Sequence, residues 1–200
     1  MKLTAERRAR AFAEGQSWTQ FLDSMKVNRP TIEANFAAYR LSEADRQALD
    51  ALPEVTDVLV LAHDWCGDVV ANLPLLARIE AETGKLRLHI VPKDPDNLDI
   101  GQLYPHADGD VHIPLYVFFD AEGNEKGHFI ERTQPLTDLM GRWILKFWSE
   151  NPRMEGRGQD FSTLEPHVRK ALLERLTTER QKVRDLEKQT IVAELVRILG

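Results

Sequence analysis

The apolar positions of the chain change their period twice. In the first fifty residues they recur at helical spacing. Trp18, Phe21, Leu22 and Met25 fall at i, i+3, i+4 and i+7, and Ile32, Phe36 and Tyr39 continue a stripe. The segment NRPT breaks the pattern, and Pro30 suits the first turn of a new helix. Ser42 with Asp45 makes a capping-box pattern that opens a short helix toward Leu52, which Pro53 ends. The run VTDVLVLA, from Val55, then reads as a buried strand. Val70, Leu73, Leu76 and Ile79 return to helical spacing, with Gly84 as the stop. LRLHIV reads as a second strand, PDNLDIGQLY as a short helix or irregular crossover, HIPLYVFFD as a third strand and EKGHFIER as a fourth. AEGN between the last two is a tight turn and predicts a hairpin. PLTDLMGRWILKFW closes as a helix with Leu139, Trp143 and Phe147 on one face.

This order predicts an α/β layer. NPRMEGRGQD, rich in Gly, Pro and charge, reads as a linker. Ser162 and Glu165 form a second capping-box pattern. From there Leu164, Val168, Leu172 and Leu176, then Val183, Leu186, Leu195 and Leu199, mark one long helix or two, with a break expected near TTER. Three parts follow: a helical N-terminal extension over 1–52, an α/β domain over 53–150, and a linker with a helical C-terminal extension over 151–200. The terminal stripes read as core-packing surfaces. The mixed charge of the C-terminal helix reads as a solvated outer face, and a homodimer through the extensions is the functional alternative.

Composition narrows the classes. A net charge of -6 argues against a general nucleic-acid binder. The N-terminal residues carry no apolar secretory core, and no run of about eighteen apolar residues predicts a membrane span. One cysteine cannot make an internal disulfide. A cytoplasmic protein without nucleic-acid or membrane partners is expected.

That cysteine, Cys66, follows the first predicted strand and precedes a predicted helix. A helix N-terminus offers unpaired N–H groups and a positive dipole end, and both stabilise a thiolate. Trp65 can shelter the thiol, and Gly67 admits a second backbone. A buried structural cysteine is the plain alternative, but the polar neighbours His63, Asp64 and Asp68 are not those of a core. Asp64 and Asp68 suit capping first and tuning of the thiol second.

The segment Trp65-Cys66-Gly67-Asp68, with a strand before it and a helix after it, resembles the thioredoxin superfamily. Pro74 stands where that family kinks its active-site helix, and Ile113-Pro114 stands at its cis-proline loop. The hairpin and closing helix follow in order. The resemblance spans about residues 54 to 148 and is closest to thioredoxin-like proteins with a W-C-G-D motif and helical extensions. It implies a mixed sheet of about four strands flanked by helices, with Cys66 as the reactive thiol. It also implies that Trp65, Gly67, Ile113 and Pro114 shape the substrate groove and that His112 lies near. Two positions depart from the family: Val69 stands in place of the second cysteine and Val60 in place of the buried proton-transferring Asp.

An intramolecular dithiol cycle is therefore excluded. Monothiol exchange through Cys66 remains, with an outside thiol completing it, and serves thiol redox homeostasis. No bound cofactor is expected; a low-molecular-weight thiol is the expected co-substrate, and the substrate is a small-molecule or protein thiol or disulfide. A thiol pKa at or above that of free cysteine would count against this reading. The alternative is a redox-inactive thioredoxin-fold module that binds a protein or peptide. No metal is expected: no histidine pair has H-x-x-x-H spacing and one cysteine is too few for structural zinc. His63, Cys66 and His112 could come near one another in such a fold. Iron–sulfur binding as in monothiol glutaredoxins is a minor option, since their C-G-F-S differs from C-G-D-V.

Overall fold

The computed structural model describes residues 3–200. Its described residues form two compact units, one running to Arg132 and joined by Ile191–Gly200, the other Thr133–Thr190. The boundaries expected at 52 and 150 divide the chain by sequence pattern; these units divide it by packing.

The larger unit opens with four helices: α1 (Ala5–Glu14), α2 (Trp18–Ser24), α3 (Arg29–Ala38) and α4 (Glu43–Asp50). The capping box at Ser42 and Asp45 forms as expected, each side chain accepting from the other's amide. A sheet follows, with β1 (Thr56–Ala62), β2 (Leu86–Pro92), β3 (Leu115–Phe119) and β4 (Glu125–Ile130). Its order is β2-β1-β3-β4: β1 is parallel to β2 and antiparallel to β3, and β3 and β4 form the expected hairpin. The β1–β2 connection is α5 (Gly67–Thr83), which Gly84 stops in a left-handed conformation. The β2–β3 connection holds only a short helix, α6 (Leu98–Gly101).

Alternation along the strands sorts the core into two clusters. Val58, Val60, Tyr116, Phe118 and Phe129 join α5, α3 and α4. Leu59, Leu61, Leu115, Val117 and Phe119 join α1 and α6. The first cluster also takes Ile191, Val192, Leu195, Ile198 and Leu199 from the end of the chain. The apolar stripe at the end of the chain is therefore core, as its spacing predicts. Its apolar positions are close-spaced and inward, while its charges sit on the rest of the turn. Gly127 in β4 makes room for it: a Cβ there would lie 3.0 Å from Ile198 Cγ2.

The second unit contains α7 (Gln134–Glu150) and α8 (Pro166–Lys182), with Phe147, Trp148, Leu164, Val168 and Leu172 as its core. Helix α8 begins at Pro166, not at Ser162. The residue before a proline is forced extended, and Glu165 has φ -53 and ψ 141. A short 3-10 turn, Phe161–Thr163, occupies the expected helix start. The break expected near TTER falls at Val183, followed by α9 (Arg184–Leu199), whose end returns to the larger unit.

Pro74 sits inside α5 and has no amide hydrogen, so the Val70 carbonyl loses its intrahelical donor. Asn35 Nδ2 in α3 donates to that carbonyl at 2.9 Å, and Tyr39 Oη donates to Ala71 O at 3.1 Å. Arg78 of α5 adds a bond to Phe36 O at 2.7 Å and lies 3.9 Å from the Phe36 ring centroid. Asn35→Ala is expected to cost about 1–2 kcal/mol by leaving the Val70 carbonyl without this donor. Urea unfolding measures it, and an unchanged midpoint would contradict the role given to Asn35.

Candidate functional site

Cys66 is the N-cap residue of α5, in extended conformation, where β1 ends and the helix starts. It is partly buried, and it contributes to both core clusters. Its Sγ donates to the Ile113 carbonyl at 3.3 Å. The Ile113–Pro114 bond is cis. Cys66, Ile113 and His112 line one open groove together with Trp65, Lys93 and Glu131. Trp65 is 59% exposed and stacks on His63 with ring centroids 5.1 Å apart. Gly67 is exposed, with no atom near enough to meet an added Cβ. Val60 and Val69 are both fully buried in the same cluster. The positions of the absent dithiol chemistry are therefore filled with packed hydrocarbon.

The acidic neighbours divide. Asp64 accepts from the Lys26 amide at 2.6 Å and the Val27 amide at 3.0 Å, so its carboxylate ties down the α2–α3 turn. Asp68 lies in the first turn of α5 and pairs with Arg132 Nη1 at 2.5 Å. Arg132 also reaches Glu131 Oε2 at 3.2 Å. His112 presents Nδ1 to Glu131 Oε1 at 3.0 Å and Nε2 to Asp108 Oδ2 at 2.9 Å. His63 contacts Asp94, through its amide at 3.3 Å and its carboxylate at 3.6 Å. Among the described residues no candidate ligand group joins His63, Cys66 and His112.

Burial pushes the Cys66 thiol up to about 11. The Val69 and Asp68 amides at the helix start oppose the shift, while the Asp68 and Glu131 carboxylates reinforce it. The helix terminus thus supplies what a thiolate needs, but burial and two carboxylates outweigh it. This runs against the low value that fast monothiol chemistry would call for.

Sequence reading missed Glu131, Arg132 and Asn72. Asn72 is fully buried in α5; it accepts from Tyr116 Oη at 2.9 Å and donates to Glu131 O at 2.5 Å. The bond holds Glu131, whose φ is 53, at the end of β4. The hairpin register carried the signal for Glu131: Ile130 pairs with Leu115, and the Glu131 amide donates to Pro114 O at 2.8 Å. A residue following the fourth strand thereby lands beside the proline loop.

A cysteine at the start of the helix after β1, facing an X-Pro loop on a β2-β1-β3-β4 sheet, is the arrangement of a thioredoxin-fold protein. Residues 15–151 match the model of a family described as Thioredoxin, and the chain belongs to that family. Its fold is a thioredoxin-like mixed four-stranded sheet flanked by helices, with helical extensions. Among solved structures, a protein of unknown function from Pseudomonas aeruginosa is similar, with a TM-score of 0.60 and 19% identity over 87% of this chain and 97% of that one. An HIV epitope-scaffold is similar with a TM-score of 0.58 and 24% identity over 65% of this chain and 80% of that one. These likenesses concern the fold. No curated protein matches the chain. Among the described residues no helix is long and apolar enough to cross a membrane.

Asp68→Asn removes one carboxylate from beside the thiol and leaves Arg132 paired with Glu131. Loss of that carboxylate favours the thiolate. The midpoint of iodoacetamide reactivity against pH is expected to move below that of the unsubstituted protein. An unmoved midpoint would show that Asp68 does not act on Cys66.

Proposed function

We propose that the protein is a monothiol thiol–disulfide exchanger that acts through Cys66 in thiol redox homeostasis and reacts slowly at neutral pH. The observation that carries this reading is the position of Sγ, at the α5 N-terminus, against the Ile113 carbonyl and on an open groove. The Cys66 thiolate attacks a disulfide RSSR, giving Cys66–SSR and releasing RS⁻. An outside thiol then attacks the adduct and returns Cys66.

The raised thiol pKa sets the rates. With a pKa of about 11, only about one thiol in ten thousand is ionised at pH 7, so attack is slow. A high-pKa thiol is also a poor leaving group, so the adduct persists. The chemistry suits a held mixed disulfide better than rapid turnover. Trp65, Gly67, Ile113 and Pro114 would border the attached group, a small molecule or a peptide. A low-molecular-weight thiol in a cytoplasmic setting would be the resolving partner.

The same pKa favours a second reading, a thioredoxin-fold module that binds a peptide in this groove without turnover. Intact mass after exposure to an oxidised low-molecular-weight disulfide separates them. Exchange predicts one adduct per chain, formed faster as pH rises from 7 toward 10 and absent from Cys66→Ser. No adduct even at pH 10, where the thiolate fraction has risen about a thousandfold, would overturn exchange and leave the binding module.

A further inference from the structure

A cluster of side chains on the Cys66 groove acts on the exchange only through the charge of Glu131. His106 and His112 are six residues apart, a spacing with no helical meaning, yet the loop between α6 and β3 brings their rings into a stack with centroids 4.3 Å apart. Glu131 arrives from the end of β4. One ligand atom from each of His106, His112 and Glu131 lies within 4.8 Å of the others, and all three residues are partly buried.

One donor has the backing that metal sites use. His112 Nδ1 faces Glu131 Oε1 at 3.0 Å, while its other nitrogen, Nε2, faces Asp108 Oδ2 at 2.9 Å. A metal-bound histidine typically gives its second ring N–H to a carboxylate, which fixes the ring and its tautomer. Here Asp108 holds that position. With the N–H on Nε2, Nδ1 turns a lone pair toward the Glu131 carboxylate, the state in which a cation rather than a proton bridges them. His106 adds a second imidazole, and its Nδ1 is buried without a hydrogen-bond partner, 3.4 Å from the same Asp108 oxygen. Glu131 is held by its own backbone: its carbonyl accepts from Asn72 and its amide donates to Pro114 O.

We infer that His106, His112 and Glu131 form a binding site for a divalent transition-metal ion of the zinc class, with Asp108 as the residue that orients His112. Two imidazoles and one carboxylate suit zinc rather than magnesium or calcium, which take oxygen donors. Tetrahedral zinc places neighbouring ligand atoms about 3.3 Å apart. The His112–Glu131 edge is already near that, and the other separations, within 4.8 Å, close as the His106 ring turns out of its stack on His112. Three protein ligands leave the fourth position to water or to a donor atom of a molecule in the groove, which His112 and Glu131 also line. Asp108, Asp110 and His112 form a competing, more exposed set. It offers one imidazole and uses the opposite edge of the His112 ring.

The test uses the full chain, stripped of metal by a chelator, in a Cys66→Ser background so that the thiol cannot contribute. Zinc is titrated in competition with a chromogenic chelator, and cobalt(II) is titrated with its visible ligand-field bands as the readout. One equivalent of zinc is expected to bind, with cobalt bands of a low-coordinate nitrogen and oxygen site. His106→Ala and His112→Ala should each weaken zinc at least about tenfold, and Asp108→Asn should do so by about tenfold as an orienting residue. Circular dichroism of the metal-free variants checks folding. Should His112→Ala fail to fold, His106→Ala and the cobalt spectrum of the parent protein decide. Absence of one-equivalent binding, a cobalt spectrum of the free aqua ion alone, or undiminished binding in His106→Ala overturns the site. Loss in Asp110→Asn with retention in His106→Ala assigns the ion to the competing carboxylate set and also overturns it.

Discussion

A proline within α5 is the constraint on which the site rests. Pro74 cannot donate to Val70 O, and a buried carbonyl without a donor is costly. Asn35 supplies the donor from α3, and Tyr39 supports the next carbonyl, Ala71 O. The first turns of α5 are thereby fixed from outside the helix, and Cys66 is their first residue. The N-terminal helices are accordingly part of the body that holds the thiol and share one core cluster with the sheet. The carbonyl that a proline leaves without a donor is met by a neighbour, and the neighbour becomes structural.

The electrostatics at Cys66 follow from the same placement. A helix start exposes amides that favour an anion, and those of Asp68 and Val69 act on the sulfur. Yet Val60 and Val69 fill the surrounding space with hydrocarbon, and Asp68 and Glu131 add negative charge. Glu131 stands there because Asn72 and the Pro114 carbonyl grip its backbone. Arg132 answers both carboxylates with one guanidinium. The balance leaves a protonated thiol on an open groove. Loss of the second cysteine and elevation of the first thiol are consistent with the exchange proposed above, slower and more persistent than a dithiol cycle.

The layer order was legible because its signals are local. Alternation marks β1 to β4, Gly84 ends α5, and the Ser42–Asp45 box opens α4. The meeting of Cys66, Trp65 and Ile113 on one groove was legible because a strand-to-helix junction and an X-Pro loop both leave marks in sequence. What was not legible depends on long-range contacts. Leu195 and Leu199 read as a packing stripe, but the sheet face that buries Ile191–Leu199 is set by long-range contacts. His106 and His112 show no periodicity, since a loop rather than a helix pairs them. Helix α8 was misplaced by local reading itself: a capping pattern at Ser162 competes with Pro166, and the proline's steric constraint decides.

The central claim is that Cys66 stays protonated well above neutral pH while remaining reachable. The carbon-13 shift of Cys66 Cβ, followed by NMR through a pH titration of the full chain, reports the thiol's own ionisation without any reagent. The account predicts a single transition with its midpoint near 11. A midpoint below the free-cysteine value of about 8.5 would contradict it, and would mean that the helix start outweighs burial and the two carboxylates.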